Sequence, residues 1–244
     1  MIGIGLIVAA AVAASVDDST VTSPSVVPGF RLWGSTETIV AISTVAGTLG
    51  WMPFDRDVNR WAADHRSTPS RVWSAGAKAI GDGYITLPVS GALWFWGEKG
   101  GMPRLARASK FGLESWCLTE LVTQTLKYST HRARPSESRS SQDWYGPGIG
   151  DSHLSFPSGH SASAWGLLPA FAMEFDDSPI LVGALYAAAA STSLSRVHDG
   201  QHWMSDVFFS AGLGVLSNRL VRSWNSNRGN LTAVVPLLGP GRQG

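Results

Sequence analysis

The strongest constraint on how this chain folds is a succession of apolar segments with helical spacing. From residue 36 to 224 no alternation of the kind strands require is sustained. Residues 36–51 form an apolar run. Phe54, Val58, Trp61 and Ala62 then recur at helical spacing among charges, which predicts a short amphipathic helix. Thr68-Pro69 predicts a capped helix start, and Gly81 and Gly83 its end. Further helices are expected over 85–96, 106–128, from Ser158 to about Phe175, from Ser178-Pro179 to about Ser193, and over 203–224. The expected fold class is therefore all-α, a helical bundle. Residues 135–157, rich in Ser, Gly and Pro, form a long connection between two helices, and loops of that length inside a domain usually carry function.

The domain limits follow from the same pattern. Residues 1–16 are uncharged after the amino terminus and contain Ala11-Val12-Ala13, which fits a signal peptide or an uncleaved anchor. Residues 17–35 read as a linker, 36–224 as the helical domain and 225–244 as an irregular tail rich in Gly and Pro.

Composition narrows the function classes. Lys+Arg and Asp+Glu nearly cancel, for a net charge of +1, so there is no basic excess for a nucleic-acid partner. The lone cysteine, Cys117, excludes an intrachain disulfide and a Cys-based zinc cluster, and its apolar context predicts a buried thiol. Only 15% of residues are charged, which excludes disorder, and the eleven tryptophans suit either a core or a membrane interface. A mean hydropathy of +0.05 is low for a protein with many spans, and the acids Asp82, Glu114, Glu120 and Asp206 interrupt the apolar stretches. The expectation is a cell-envelope protein on the periplasmic side, either associated with or partly embedded in the membrane, or secreted to the periplasm.

Three constellations carry chemistry. His202 and Asp206 lie four residues apart, hence on one face if helical; a carboxylate there can fix the imidazole tautomer. Pro157-Ser158-Gly159-His160 opens a helix whose first N–H groups can bind an anion, with glycine admitting close approach. Lys127 and Arg134-Pro135 place two cations at the end of a long helix. Each alone has a bland reading, as a surface pair, a serine cap or a solvated helix end. With Arg196 they supply three cations, an anion-binding helix end and two histidines, which is what phosphoryl transfer through a phosphohistidine requires. His198 with His202 and Asp206 has some zinc-like spacing, but Gly200 interrupts it and no Glu follows the first His. His131 and His153 flank the motifs, and His65 reads as a surface residue.

The patterns K-x6-RP, PSGH and SR-x5-H-x3-D together resemble the three signature motifs of the type 2 phosphatidic acid phosphatase and vanadium haloperoxidase superfamily, over roughly residues 127–206. The resemblance implies an all-helical bundle of that type. It also implies that Lys127, Arg134, Ser158, Gly159 and Arg196 hold the phosphate. His202 would be the nucleophile, Asp206 its orienting partner, and His160 the general acid that later activates water. No metal and no other cofactor is implied. The expected activity is a metal-independent phosphatase acting on phosphomonoesters or diphosphates, with a lipid phosphate as the first choice of substrate and the membrane as partner. A soluble periplasmic acid phosphatase of broad specificity, a vanadium-dependent haloperoxidase and a non-catalytic binder of phosphorylated ligands remain alternatives.

Overall fold

The structure, a computed structural model, describes residues 33–234, with side chains described through residue 226. Residues 1–16, nearly all of the expected linker and the last ten residues lie outside the described part. Eight α-helices are present among the described residues: α1 (Ser35–Trp51), α2 (Asp55–Asp64), α3 (Thr68–Ala79), α4 (Gly83–Lys99), α5 (Pro103–Thr130), α6 (Gly159–Glu174), α7 (Pro179–His198) and α8 (Met204–Val234), with one 3-10 turn (Met52–Phe54). The all-α expectation holds. Helix α3 is capped one residue earlier than expected, by Ser67, whose side chain accepts from the Ser70 N–H. Helix α8 runs to Val234, past the Trp224 at which the sequence pattern placed its end.

The six long helices alternate in direction. Helix α5 packs against α4 and α6, α6 against α7 and α8, and α1 against α8. The carboxyl ends of α1, α5 and α7 and the amino ends of α4, α6 and α8 meet at one end of the bundle. Contacts there fix the arrangement: Asp55, just past α1, binds Ser205 of α8, and Gly81, just before α4, lies so close to the His160 carbonyl that no Cβ would fit. Close helix approach depends on small residues: a Cβ on Gly47 of α1 would strike Phe208 of α8, and one on Gly212 of α8 would strike Thr44 of α1.

The packing interior is polar. Among the described residues, ten of the sixteen buried apolar residues are alanine, while twenty-eight buried residues are polar or charged. Helix α1 buries Thr44 and Thr48 and exposes Ile39, Ile42, Val45 and Leu49. Helix α4 buries Thr86, Ser90 and Gly97 and exposes Ile85, Val89, Phe95 and Trp96. Cys117 is exposed on α5, not buried as its apolar context suggested: the apolar faces point outward. Several inner serines and threonines spend their hydroxyls on carbonyls one turn back, as Thr48 does on Thr44 at 2.7 Å and Thr119 on Ser115 at 2.7 Å.

Candidate active site

The end where the helices meet carries all three motifs. Helix α5 stops because His131 takes a left-handed conformation, φ 41°, at its C-cap. The His131 ring nitrogens then lie 3.0 and 3.1 Å from the carbonyls of Gly146 and Gly150, which folds the long loop back on itself. An antiparallel bridge between Arg132 and Trp144 continues that fold. The loop ends at Ser158, the N-cap of α6.

The nucleophile expected at His202 is not helical: α8 begins at Met204, and Gly200, at φ +68°, turns the chain between α7 and α8. The expected His202–Asp206 hydrogen bond is therefore replaced. His202 Nδ1 lies 2.7 Å from the Ser155 carbonyl and 3.8 Å from the Asp206 carboxylate. A carbonyl only accepts, so Nδ1 carries the proton and Nε2 keeps its lone pair. Burial, reinforced by the charges of Lys127 and Arg134 and opposed by Asp206, pushes the His202 pKa down to about 3. The imidazole is neutral at neutral pH.

Asp206 is held from three sides. Ser155 Oγ donates to it at 2.6 Å and the Trp203 N–H at 2.9 Å, and Arg132 donates to its other oxygen. Ser155 thus touches both partners, His202 through its carbonyl and Asp206 through its hydroxyl. Arg132 is fully buried. It also binds Asp55 at 2.7 Å, Ser205 Oγ at 2.8 Å and the Ser141 carbonyl at 2.8 Å. Its guanidinium stacks between the rings of Trp144 and Trp203, 4.7 and 5.7 Å away.

The phosphate-binding candidates gather at the same end of the bundle as His202. Lys127 acts electrostatically on both His160 and His202, so the two histidines share one neighbourhood. Arg196 lies within the same reach of His160 and of Arg134. Lys127 Nζ donates to the Leu154 carbonyl at 2.7 Å. Arg134 donates to Gln201 at 2.9 Å, and Gly159 lies beside the Lys127 side chain. Two donors in this cradle are buried without a hydrogen-bond partner: Ser158 Oγ and Arg196 Nε. Ser158 makes no side-chain cap; its backbone N–H goes to Ser210 Oγ at 2.9 Å, which leaves the hydroxyl unused. Unpaired buried donors cost free energy unless an acceptor meets them.

Arg196 is oriented by Asp199 at 3.2 Å. Burial opposes charge on Asp199, but hydrogen bonds from Ser74 and His198 and the charge of Arg196 outweigh it and hold the carboxyl below its ordinary range. His198 spends its rings' nitrogens here, on Asp199 at 3.0 Å and Ser70 at 2.9 Å, and takes no part in a cluster with His202. His153 pairs with Glu137 at 3.0 Å at the rim, and His65 is exposed, stacked on Trp61.

Sequence reasoning missed Arg132, Ser155, Asp55 and Asp199. Arg132 had a signal, since it stands two residues before Arg134 in Arg-Ala-Arg-Pro. Asp55 had none: it lies 77 residues from Arg132 along the chain, and only the fold closes that gap.

Residues 112–230 match the family model of the PAP2 superfamily. A stretch of 95 residues is 35% identical to the lipid A 1-phosphatase of Porphyromonas gingivalis, covering 38% of this chain and 18% of that protein. The match thus spans under a fifth of that relative's length. Two crystal structures share the fold. The first transmembrane PAP2 type phosphatidylglycerolphosphate phosphatase from Bacillus subtilis aligns with a TM-score of 0.61 at 19% identity, over 78% of this chain and 96% of that one. Aquifex aeolicus LpxE aligns with a TM-score of 0.53 at 18% identity, over 70% and 95%. All three motifs lie inside the matched segment on an all-helical bundle, and that segment, residues 112–230, belongs to the PAP2 superfamily.

Proposed function

We propose that this protein is an integral membrane phosphatase that hydrolyses a lipid phosphate through a phosphohistidine on His202. The observation that carries the chemistry is the pairing of a neutral His202, its Nε2 lone pair free, with unpartnered donors on Ser158 and Arg196 beside Lys127 and Arg134. Those donors suit the equatorial oxygens of a phosphoryl group, whose charge they would neutralise as it develops. Burial and the charge of Arg196 hold the His160 pKa down at about 4, so His160 takes up its proton with the anionic substrate. Nε2 attacks phosphorus while the bond to the leaving oxygen breaks, and His160 gives that oxygen the proton. His160 then takes a proton from the water that cleaves the P–N bond, releasing phosphate. Asp206, 3.8 Å from Nδ1, stabilises the imidazolium cation that forms.

The membrane reading rests on the inverted surface. Apolar side chains that would fill a soluble core point outward, and exposed aromatics gather at both ends: Trp33, Trp94, Trp96 and Trp224 at one, Trp61, Trp73 and Tyr84 at the other. Among the described residues one helix, α7, has both the length and the mean hydropathy of a span. The others fall short on length or because averaging mixes a lipid-facing stripe with inner serines and threonines. The lipid phosphatases similar to this chain support a lipid substrate. The end carrying the site lies toward the periplasm in this reading.

The test is phosphate release from lipid phosphates in detergent micelles, with and without a chelator. Turnover that survives the chelator, falls at least about a thousandfold in His202→Ala and is blocked by vanadate is expected. Full activity in His202→Ala, or loss with the chelator, refutes the mechanism. An acid-labile phosphoenzyme trapped by rapid quench should accumulate in His160→Ala and be missing from His202→Ala.

A further inference from the structure

A second basic cleft lies at the same end of the bundle, and the phosphoryl chemistry does not use it. A cleft of about 280 Å³ is lined by Arg56, Asn59 and Arg60 of α2, by Pro135, Ser138 and Arg139 of the long loop, and by Trp203. Three of its seven lining residues are arginines and none is an acid. The nearby carboxylates are already engaged: Asp55 by Arg132 and Ser205, Asp143 by Ser138, and Asp57 loosely by Arg60 at 3.9 Å. Among the described residues, Arg56 and Arg139 have neither a hydrogen bond nor an ion pair that would explain their placement. A separate observation points the same way: Asn59 Nδ2 is buried and has no hydrogen-bond partner. An amide donor among three guanidinium groups suits an oxyanion.

The place of the cleft identifies the occupant. Pro135 directly follows Arg134, and Trp203 directly follows His202, so the cleft and the phosphoryl site draw on neighbouring residues of the same two segments. Helix α2 and the loop both belong to the polar end of the bundle, where the headgroup of a lipid would lie. We propose that the Arg56–Arg60–Arg139 cleft is a specificity subsite for a second anionic group, a phosphate or phosphodiester carried on the headgroup of the same substrate molecule. This rests on the lipid phosphatase reading and names the substrate class within it: lipids whose headgroup bears another anion besides the phosphate that is removed. A site furnished with such donors favours the doubly anionic lipid over its singly anionic analogue, because with the analogue its donors go unmatched.

The test compares two lipids with identical acyl chains in nonionic micelles. One is a diacylglycerol phosphate with a single monoester; the other is a phosphatidylglycerophosphate, which adds a phosphodiester. The variant is Arg56→Gln combined with Arg139→Gln, two exposed side chains whose loss leaves the fold intact. The wild-type KM should be lower for the doubly anionic lipid by about tenfold or more. The double variant should lose that preference, with kcat unchanged and the singly anionic lipid within about twofold of wild type. A preference that survives the double variant overturns the proposal. An equal loss for both lipids also overturns it, and assigns the arginines to general attraction to an anionic surface. Binding of both lipids to His202→Ala, with and without the two arginine changes, gives the same ratio without turnover. A protein that hydrolyses neither lipid would sink the phosphatase reading, and the ratio of binding constants would still decide the cleft.

Discussion

Two buried arginines at the end of the bundle that carries His202 are treated in opposite ways. Arg132 is saturated: two carboxylates, a hydroxyl, a carbonyl and two indole faces take up its guanidinium. Arg196 holds one carboxylate and leaves Nε buried and unpaired. The first belongs to a platform that fixes Asp206 beside His202. The second belongs to the cradle of the proposed reading, where its unpaired donor would meet an oxyanion. A buried arginine thus has two meanings, and its hydrogen-bond inventory tells them apart.

The most forceful way to break this contrast is Arg132→Ala. It strands Asp55 and Asp206 as buried acids, and the loss of folding stability should be about 3–5 kcal/mol, read from thermal unfolding in micelles. Arg132→Lys should recover little, since an ammonium group cannot span both carboxylates. A variant that unfolds like wild type would demote the platform. In the cradle the sign should invert. Arg196→Gln and Ser158→Ala should leave the unfolding temperature unchanged or slightly raised, while turnover falls by about a hundred- to a thousandfold. If either variant loses as much stability as Arg132→Ala, the two regions are not distinct.

A third experiment sharpens the comparison through pH. Folding moves the His202 pKa from 6.5 to about 3. Between those values the unfolded chain binds a proton that the native state refuses, so stability declines as pH falls through that window and gains no slope from this group above it. His202→Asn should remove about 1.4 kcal/mol per pH unit from the acid-side slope. Parallel slopes in both proteins would mean that His202 is protonated in the fold. The smallest effect is expected at Asp199→Asn. The Asp199 carboxylate, which also accepts from Ser74 and His198, acts on the cradle through Arg196 alone, so KM should rise about tenfold with kcat little changed.

Much of the cradle was legible in the sequence, because its residues sit in short motifs whose spacing survives without knowledge of the fold. Lys127, Arg134, Ser158, His160, Arg196 and His202 are brought to one end of the bundle as expected. The platform was not legible. The expectation that Asp206 hydrogen-bonds His202 assumed a helix through both, but the turn at Gly200 moved His202 outside it and gave its proton to the Ser155 carbonyl. Asp55 lies on the amphipathic helix that the sequence did foretell, yet nothing local marks it as a partner of Arg132. The bundle was foreseen as helical, whereas its polarity was not. Mean hydropathy and Cys117's apolar neighbours both average over a helix, and here the two faces of each helix answer to different surroundings.

The ion pair between Asp55 and Arg132 carries a consequence for biosynthesis. The segment that holds every signature motif starts at residue 112, so Asp55 is supplied from outside it. A nascent chain emits Asp55 first and must retain it until Arg132 and then Ser205 emerge, 150 residues later. A fragment comprising the motifs alone would carry the reactive groups without the counter-charge that seats them. Enzyme activity in this protein therefore reports that α2 and α8 have met.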